Sequence, residues 1–173
     1  EVRHPYYVAV IRMEARIDTL TVTPKDKPPR EVLVLLRGEN RLRFPLSKVA
    51  RRWAPRLKEA GTERVKALVW PRTDPKGKVN PKASIVGRLY PIPEGFEEGL
   101  LAQGRLVEVN LEKGFLILEV RKNPKGKLKE AFRLSVWASS EVLAGLPPVG
   151  SGVYLRGEYL EKERKLVARN AEP

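Results

Sequence analysis

The chain has 173 residues, 42 % of them hydrophobic, and a formal net charge of +13 at pH 7. This composition excludes an intrinsically disordered polyelectrolyte and leaves enough apolar residues for a packed core. No stretch approaches the about 18 apolar residues of a transmembrane helix, the N-terminal run lacks the pattern of a signal peptide, and cysteine is absent, so we expect a cytoplasmic protein with no disulfides and no membrane partner.

The first half of the chain predicts five strands and one helix. Each strand is a run rich in β-branched, aromatic and leucine residues, bounded by glycine, proline or other turn residues. The third strand must end near Pro45, because proline has no amide hydrogen to donate to a neighbouring strand. The predicted strands span 6–23, 30–38, 40–46, 63–73 and 82–90.

The predicted helix lies between the third and fourth strands and begins at Ser47, a residue type that caps helix N-termini. Val49, Trp53 and Leu57 recur at every fourth position and predict its buried stripe. Pro55 lies inside this segment, so we expect a kink or two shorter helices. The basic residues predicted to lie mostly on the other faces are Arg51, Arg52, Arg56 and Lys58.

The second half repeats this order of elements after an acidic link, rich in proline and glycine, at 90–99. Its short helix has two candidate caps, Ser139 and Ser140, and lies between the third and fourth strands. The predicted strands of this half span 100–111, 113–122, 130–138, 150–160 and 165–172.

An order of three strands, a helix and two strands is typical of the five-stranded OB barrel. We therefore predict a mainly β protein of two tandem OB-like barrels, each with a short helix between strands three and four. The predicted domains are a basic one at 1–93 and a near-neutral one at 94–173. The alternative is one continuous β-rich domain with two short helices.

The charge is distributed unevenly between the two predicted domains. Residues 1–93 contain 21 Lys and Arg against 9 Asp and Glu, a net charge of +12, whereas residues 94–173 contain 13 against 12, a net charge of +1. Such an excess repels itself unless a polyanion neutralises it. The uneven charge predicts that the first domain binds nucleic acid; a surface that serves only solubility is the alternative.

The sequence predicts no catalytic site. The single histidine, His4, lies at the N-terminus, and the only aspartates are Asp18, Asp26 and Asp74, too few and too scattered for a two-metal nuclease. No phosphate-binding loop, nucleophile elbow or zinc-protease motif is present. We therefore expect a protein that is not an enzyme and that takes no cofactor, metal or small-molecule substrate.

Binding of single-stranded nucleic acid requires cations that follow the phosphates and aromatic rings on which bases stack. Basic and aromatic residues alternate in the second to fifth strands of the first domain and in the loop at 74–82, whose glycine and prolines we expect to let it swing over a ligand. The predicted nucleic-acid-binding residues are Arg37, Arg41, Arg43, Phe44, Trp70, Arg72, Lys76, Lys78, Lys82, Arg88, Tyr90, Lys125, Lys127 and Phe132.

The second domain contains an aromatic-started strand, a short helix and a Gly-x-x-Val-Tyr-x-x-Gly strand within 130–160. This stretch resembles the middle of the bacterial single-stranded DNA-binding proteins. The resemblance implies an OB fold, with Phe132 at the family's stacking position and Lys125 and Lys127 in a strand-binding loop. The residues that match the glycine-containing strand are Gly150, Val153, Tyr154 and Gly157.

The leading interpretation is non-catalytic binding of single-stranded nucleic acid, DNA or RNA, by the first domain. The second domain then assists, forms a homo-oligomer or docks a protein partner. The alternative is a protein-interaction subunit or regulator whose basic face binds an acidic partner protein of replication, transcription or defence machinery.

Overall fold

The structure, a computed structural model, describes residues 8–37, 40–42, 44–61, 64–81, 83–120 and 131–172. It is mainly β, which confirms the predicted fold class at that level. The elements before residue 93 are β1 (Val8–Val22), β2 (Arg30–Arg37), β3 (Asn40–Leu42), α1 (Lys48–Glu59), β4 (Arg64–Trp70) and β5 (Ile85–Pro91). Those after it are β6 (Gly99–Asn110), β7 (Phe115–Val120), β8 (Phe132–Ala138), α2 (Ser140–Ala144), β9 (Gly152–Leu160) and β10 (Lys165–Glu172).

The strands of the first segment (residues 1–93) pair in the order β3-β2-β1-β4-β5, all antiparallel. The two ends of this order approach each other just after β3, where Leu46 forms a parallel bridge to Val86 of β5. Two backbone hydrogen bonds of 2.9 Å hold this contact, from Ser47 N–H to Val86 O and from Val86 N–H to Pro45 O. The pairing order of the first segment therefore returns to its start through a single bridge.

The strands of the second segment (residues 94–173) form a complete ring. β6 pairs with β7, β7 with β8, β8 with β10, β10 with β9, and β9 again with β6. Only the pairing of β8 with β10 is parallel, and α2 lies between β8 and β9 in the chain. Both segments thus have one helix between their third and fourth strands.

β1 and β6 join the two segments into one sheet. The start of β1 pairs antiparallel with the start of β6, from Val8 opposite Gln103 to Arg12 opposite Gly99. β1 is long enough to pair in turn with β6, β4 and β2. Buried side chains of both segments form one continuous hydrophobic cluster, so the predicted boundary at residue 93 lies between β5 and β6 but does not separate two cores.

α1 differs from its prediction in two respects. It buries Ala50, Ala54 and Leu57, whereas Trp53 is 44 % exposed, so the prediction that Trp53 lies in the core is wrong. The side of the helix that packs on the sheet is formed by the small alanines and Leu57, and the indole ring of Trp53 lies outside this buried stripe. The helix is also continuous through Pro55, which lies on the exposed side, so the predicted alternative of two shorter helices is wrong.

Serine caps hold the N-termini of both helices, as the sequence predicts. Ser47 Oγ accepts a hydrogen bond of 3.1 Å from the amide of Ala50 and donates one of 2.8 Å to Gly87 O in β5. The cap of α2 is Ser139, whose Oγ accepts from the amide of Val142 at 3.3 Å. The cap of α1 therefore also anchors the helix to the sheet.

Gly157 of β9 lies where β9 and β10 approach most closely. A Cβ at this position would be 1.7 Å from Val167 O, so the backbones would have to separate. We expect Gly157→Ala to lower the free energy of unfolding by about 1–3 kcal/mol or more, measured by urea denaturation. Gly145→Ala is the control, because its nearest atom would be Glu141 O at 3.6 Å and its φ of −87° suits alanine. Equal losses in both variants would contradict the close approach.

Candidate nucleic-acid interface

The uneven charge of the sequence is also present on the described surface. In the described part of residues 8–93, thirteen Lys and Arg are exposed against three Asp and Glu. In the described part of residues 94–172, six are exposed against eight. The exposed cations of the first segment are Arg16, Lys25, Lys27, Arg30, Lys48, Arg51, Arg52, Arg56, Lys58, Arg64, Lys76, Lys78 and Arg88.

The outer side of β4 and β5 combines cations with an exposed ring; we call this surface the β4–β5 face (Lys66, Arg88, Tyr90 and Phe96). Arg88 and Tyr90, two residues apart in β5, are both exposed, Tyr90 by 40 %. Lys66 lies opposite Tyr90 in β4, and its Nζ is 5.8 Å from the ring centroids of both Tyr90 and Phe96. A base could stack on the Tyr90 ring while these cations hold the adjacent phosphates.

The predicted binding residues include Arg88 and Tyr90 of this face but not Lys66. Residues alternate between buried and outward positions along β4, with Val65, Ala67 and Val69 buried. The alternation of apolar and polar residues along β4 is the sequence signal that predicts an outward position for Lys66. Its cross-strand partner Tyr90 lies on the same side of the sheet.

The loop between β4 and β5, expected to swing over a ligand, is instead docked on the second segment. Trp137 Nε1 donates a hydrogen bond of 2.8 Å to Gly77 O. Gly77 is buried, has a φ of +81°, and leaves no room for a side chain, because a Cβ would be 2.9 Å from the Trp137 ring. These contacts oppose the expected swing of the loop over a ligand.

Two further hydrogen bonds hold this loop on the second segment. The amide of Ser135 in β8 donates to Thr73 Oγ1 at 2.9 Å, and the amide of Val79 donates to Arg164 O at 2.6 Å. The loop thus contacts β8 and the turn before β10 together.

Lys76 and Lys78 remain exposed at the tip of the docked loop. Their amides donate to Asp74 Oδ1 at 2.9 and 3.0 Å, an Asx-type turn that holds the backbone between them. Both lysines therefore project from a positioned turn, where they can contact phosphates without a loop movement.

Arg72 and Phe132, both predicted to bind the ligand, contact each other across the two segments. The Arg72 guanidinium carbon is 3.5 Å from the Phe132 ring centroid, and Arg72 Nη1 donates to Pro71 O at 3.0 Å. Burial lowers the pKa of Arg72. The pair therefore joins the two segments. Because the guanidinium covers one face of the Phe132 ring, only the opposite face could contact a base.

Arg37 binds two carboxylates of the second segment. It forms an ion pair with Glu98 and donates from Nε to Glu161 Oε2 at 3.1 Å. The hydrogen bonds to Glu98 raise the pKa of Arg37. Its charge is thus already balanced, and its place is at the junction of the two segments.

Phe44 is buried and Trp70 is half-buried. Phe44 is 8 % exposed, with its ring centroid 6.4 Å from that of Tyr159. Trp70 is half-buried against Gly87, where a Cβ would be 2.3 Å from the indole ring. Phe44 therefore offers no face to a base, and one side of Trp70 is occupied by the β5 backbone.

The structure leaves part of the predicted set without a described side chain. The backbone of Arg41 lies in β3 opposite Leu36. The predicted residues outside the described ranges are Arg43, Lys82, Lys125 and Lys127.

The described residues contain neither a candidate metal site nor a membrane-spanning helix. Among them, no group of three or more His, Cys, Asp or Glu side chains could hold a metal ion. None of the helices within these ranges has the length and apolar character to cross a membrane; α1 has 12 residues and α2 has 5.

The hydrogen bond from Trp137 to Gly77 O should limit the opening of the loop between β4 and β5. Trp137→Phe removes the hydrogen bond to Gly77 O, which is worth about 0.5–1.5 kcal/mol net. If opening of the loop precedes cleavage, trypsin should cut after Lys76 and Lys78 about 2- to 12-fold faster than in the wild type, as followed by mass spectrometry. Trp53→Phe, at an exposed tryptophan, is the matched control and should leave the rate unchanged. An unchanged rate in Trp137→Phe would show that this bond does not hold the loop.

The Arg37–Glu98 pair leads to a dependence of stability on pH. Burial alone would raise the pKa of Glu98, but the hydrogen bonds from Arg37 and from the Glu14 amide, with the charge of Arg37, hold it below its ordinary value of 4.5. The contribution of Glu98 to stability is therefore complete above pH 4.5 and is lost as the pH falls below that value.

We expect the difference in unfolding free energy between wild type and Glu98→Gln to be largest near neutral pH and to shrink on acidification. Urea denaturation at several pH values measures it. The effect should be modest and sensitive to salt, because the Glu98 side chain is 40 % exposed. The neighbouring Glu97→Gln is the control, and a difference that grows on acidification would contradict the pairing.

Comparison with known proteins adds no family to this description. No protein-family model matches the chain, and no curated protein is significantly similar to it in sequence. The geometry and charge of the described residues therefore carry the functional argument.

Proposed function

We propose that the protein binds single-stranded nucleic acid, without catalysing a reaction, through the exposed cations and aromatic rings of its first segment. The observation that carries this proposal is the surface charge: thirteen exposed cations against three exposed acids in the described part of residues 8–93. Like charges at this density repel one another, and the phosphates of a nucleic acid relieve that repulsion.

The β4–β5 face supports a single strand as the ligand. Tyr90 is exposed beside Lys66 and Arg88, which places a ring and two cations on neighbouring strands. In a duplex the faces of the bases are stacked on one another, so an exposed ring contributes stacking energy only with unpaired bases. A ligand with free bases therefore uses both features of this surface.

The strand order supports an assignment of both segments to the OB fold, which we include in the proposal. The ring β6-β7-β8-β10-β9, with a parallel β8–β10 pairing and a helix before the fourth strand, has the element order expected for an OB barrel. The first segment has the same order, joined by the bridge between Leu46 and Val86. OB folds commonly bind oligonucleotides with the face of their second and third strands and with the loops after strands one and four, the second of which carries Lys76 and Lys78 here.

The second segment then has a supporting role. Its described surface has more exposed acids than cations, and its contacts with the loop of the first segment hold Lys76 and Lys78 in place. We propose that it orients the basic segment and adds the free face of Phe132.

Fluorescence anisotropy tests the proposal directly. The probes are labelled single-stranded DNA, single-stranded RNA and a duplex. Each is about 30 nucleotides long, which is longer than the about 4–16 nucleotides that one OB fold binds. We expect binding to both single strands that weakens linearly in the logarithm of salt concentration, with a slope of about −0.7 per phosphate neutralised. An absence of binding to every oligonucleotide at low salt would contradict the proposal and favour an acidic protein partner.

Substitutions on the β4–β5 face should weaken this binding. Tyr90→Ala removes a stacking ring worth about 1–3 kcal/mol, so we expect a 5- to 140-fold higher Kd, whereas Tyr90→Phe should retain most of the affinity. Arg88→Glu should reduce the steepness of the salt dependence by about 0.7 or more.

Lys113→Glu is the matched control for charge, because Lys113 is an exposed turn residue of the second segment. Equal effects of Arg88→Glu and Lys113→Glu would show that only the net charge matters and that the β4–β5 face is not the site.

A further inference from the structure

The exposed side of α1 is a second basic surface, which sequence analysis did not include in the binding site. Five of the twelve helix residues are exposed cations, and the only acid of the helix is Glu59 at its last position. Among the residues that the structure describes, none of the five forms an ion pair with a carboxylate. The five cations, which we call the α1 face, are Lys48, Arg51, Arg52, Arg56 and Lys58.

Some of the charges of the α1 face destabilise the helix that carries them, although Arg56 and Lys58 in its last turn suit the helix dipole. Lys48, Arg52 and Arg56 follow one another at intervals of four residues, so that like charges are neighbours on the helix surface. The first turn contains Lys48 and no acid, opposite to the preference of the helix dipole. Because local stability is reduced here without any compensating ion pair, the charges have the pattern expected of a surface that meets a polyanion.

Trp53 lies at the border of the α1 face and is 44 % exposed. The guanidinium carbon of Arg56 is 5.5 Å from its ring centroid. The apolar contacts of the helix are supplied by Ala50, Ala54 and Leu57, so the exposed part of the Trp53 ring is not needed to hold the helix on the sheet. A large exposed ring beside unpaired cations is the combination that stacks a nucleobase.

α1 is anchored next to the strand of the β4–β5 face. Ser47, its cap, is hydrogen-bonded to Gly87 and Val86 at the start of β5, and β5 continues to Arg88 and Tyr90. Helix and strand thus belong to one anchored unit, although their cations are far apart in the sequence.

We infer that α1 is a second contact site for the same single strand, in which Arg52 and Arg56 hold phosphates and Trp53 stacks one base. This inference rests on the proposed function. Membrane binding is disfavoured, because the apolar stripe of α1 is buried against the sheet and a surface helix would need it exposed. A single strand is favoured over a duplex, because the exposed ring requires an unstacked base.

The double variant Arg52→Glu/Arg56→Glu tests the phosphate contacts. We expect the steepness of the salt dependence for single-stranded DNA to fall by about 1.4, the value for two phosphates. Lys113→Glu/Lys162→Glu makes the same change of charge at two exposed turn residues of the second segment and is the control. Circular dichroism verifies that each variant retains the native fold.

Trp53 supplies an independent readout. We expect intrinsic fluorescence to be quenched when single-stranded DNA binds, because a base stacks on the exposed indole, and Trp53→Phe to abolish most of this quenching while keeping most of the affinity. Trp53→Ala should raise the Kd about 5- to 140-fold. The Phe variant keeps the test valid if the Ala variant fails to fold.

The outcomes separate this inference from the proposed function. No single-strand binding by the wild type overturns both. If the wild type binds and Tyr90→Ala weakens binding, but both α1 variants behave like the control, only the α1 site is overturned. Quenching and affinity loss that are as large with duplex as with single strands overturn the assignment of a stacked base to Trp53.

Discussion

The antiparallel pairing of β1 with β6 is the interaction on which the rest of the structure depends. It makes one sheet of two five-stranded halves and lets their buried side chains form a single hydrophobic cluster. A half of about 80–90 residues would have a small core of its own, whereas the shared sheet lets both halves contribute to one core. The remaining contacts between the segments add to this pairing: Trp137 with Gly77, Arg72 with Phe132, and Arg37 with Glu98.

These contacts divide the basic residues of the first segment into two groups. Arg37 and Arg72 lie at the junction, partly removed from water and held by carboxylates or an aromatic ring. Arg88 and the cations of the α1 face are exposed, and no ion pair balances them within the described ranges. The net charge of the segment counts both groups equally, but only the second is available to a polyanion.

The same junction explains why only some of the predicted binding residues are exposed in the folded protein. Residue type and local charge identified Arg88 and Tyr90, which are exposed on one side of β5. They also identified Phe44, which packs against Tyr159 of the second segment. Phe44 and Tyr90 each follow an arginine by one or two residues, so the local sequence does not distinguish them. Phe44 is buried because it packs against Tyr159, which lies more than a hundred residues away in the chain.

The sequence by itself determined the element order, the serine caps and the uneven charge, because these depend on local periodicity, hydrogen bonding within a turn, and composition. Only the tertiary structure decided which faces of those elements are exposed. Trp53 has the spacing of the predicted stripe, but the buried side of α1 is formed by Ala50, Ala54 and Leu57. Gly77 of the β4–β5 loop allows a close contact with the ring of Trp137. The physical reason is that burial depends on what packs against a residue, and that partner comes from a distant part of the chain.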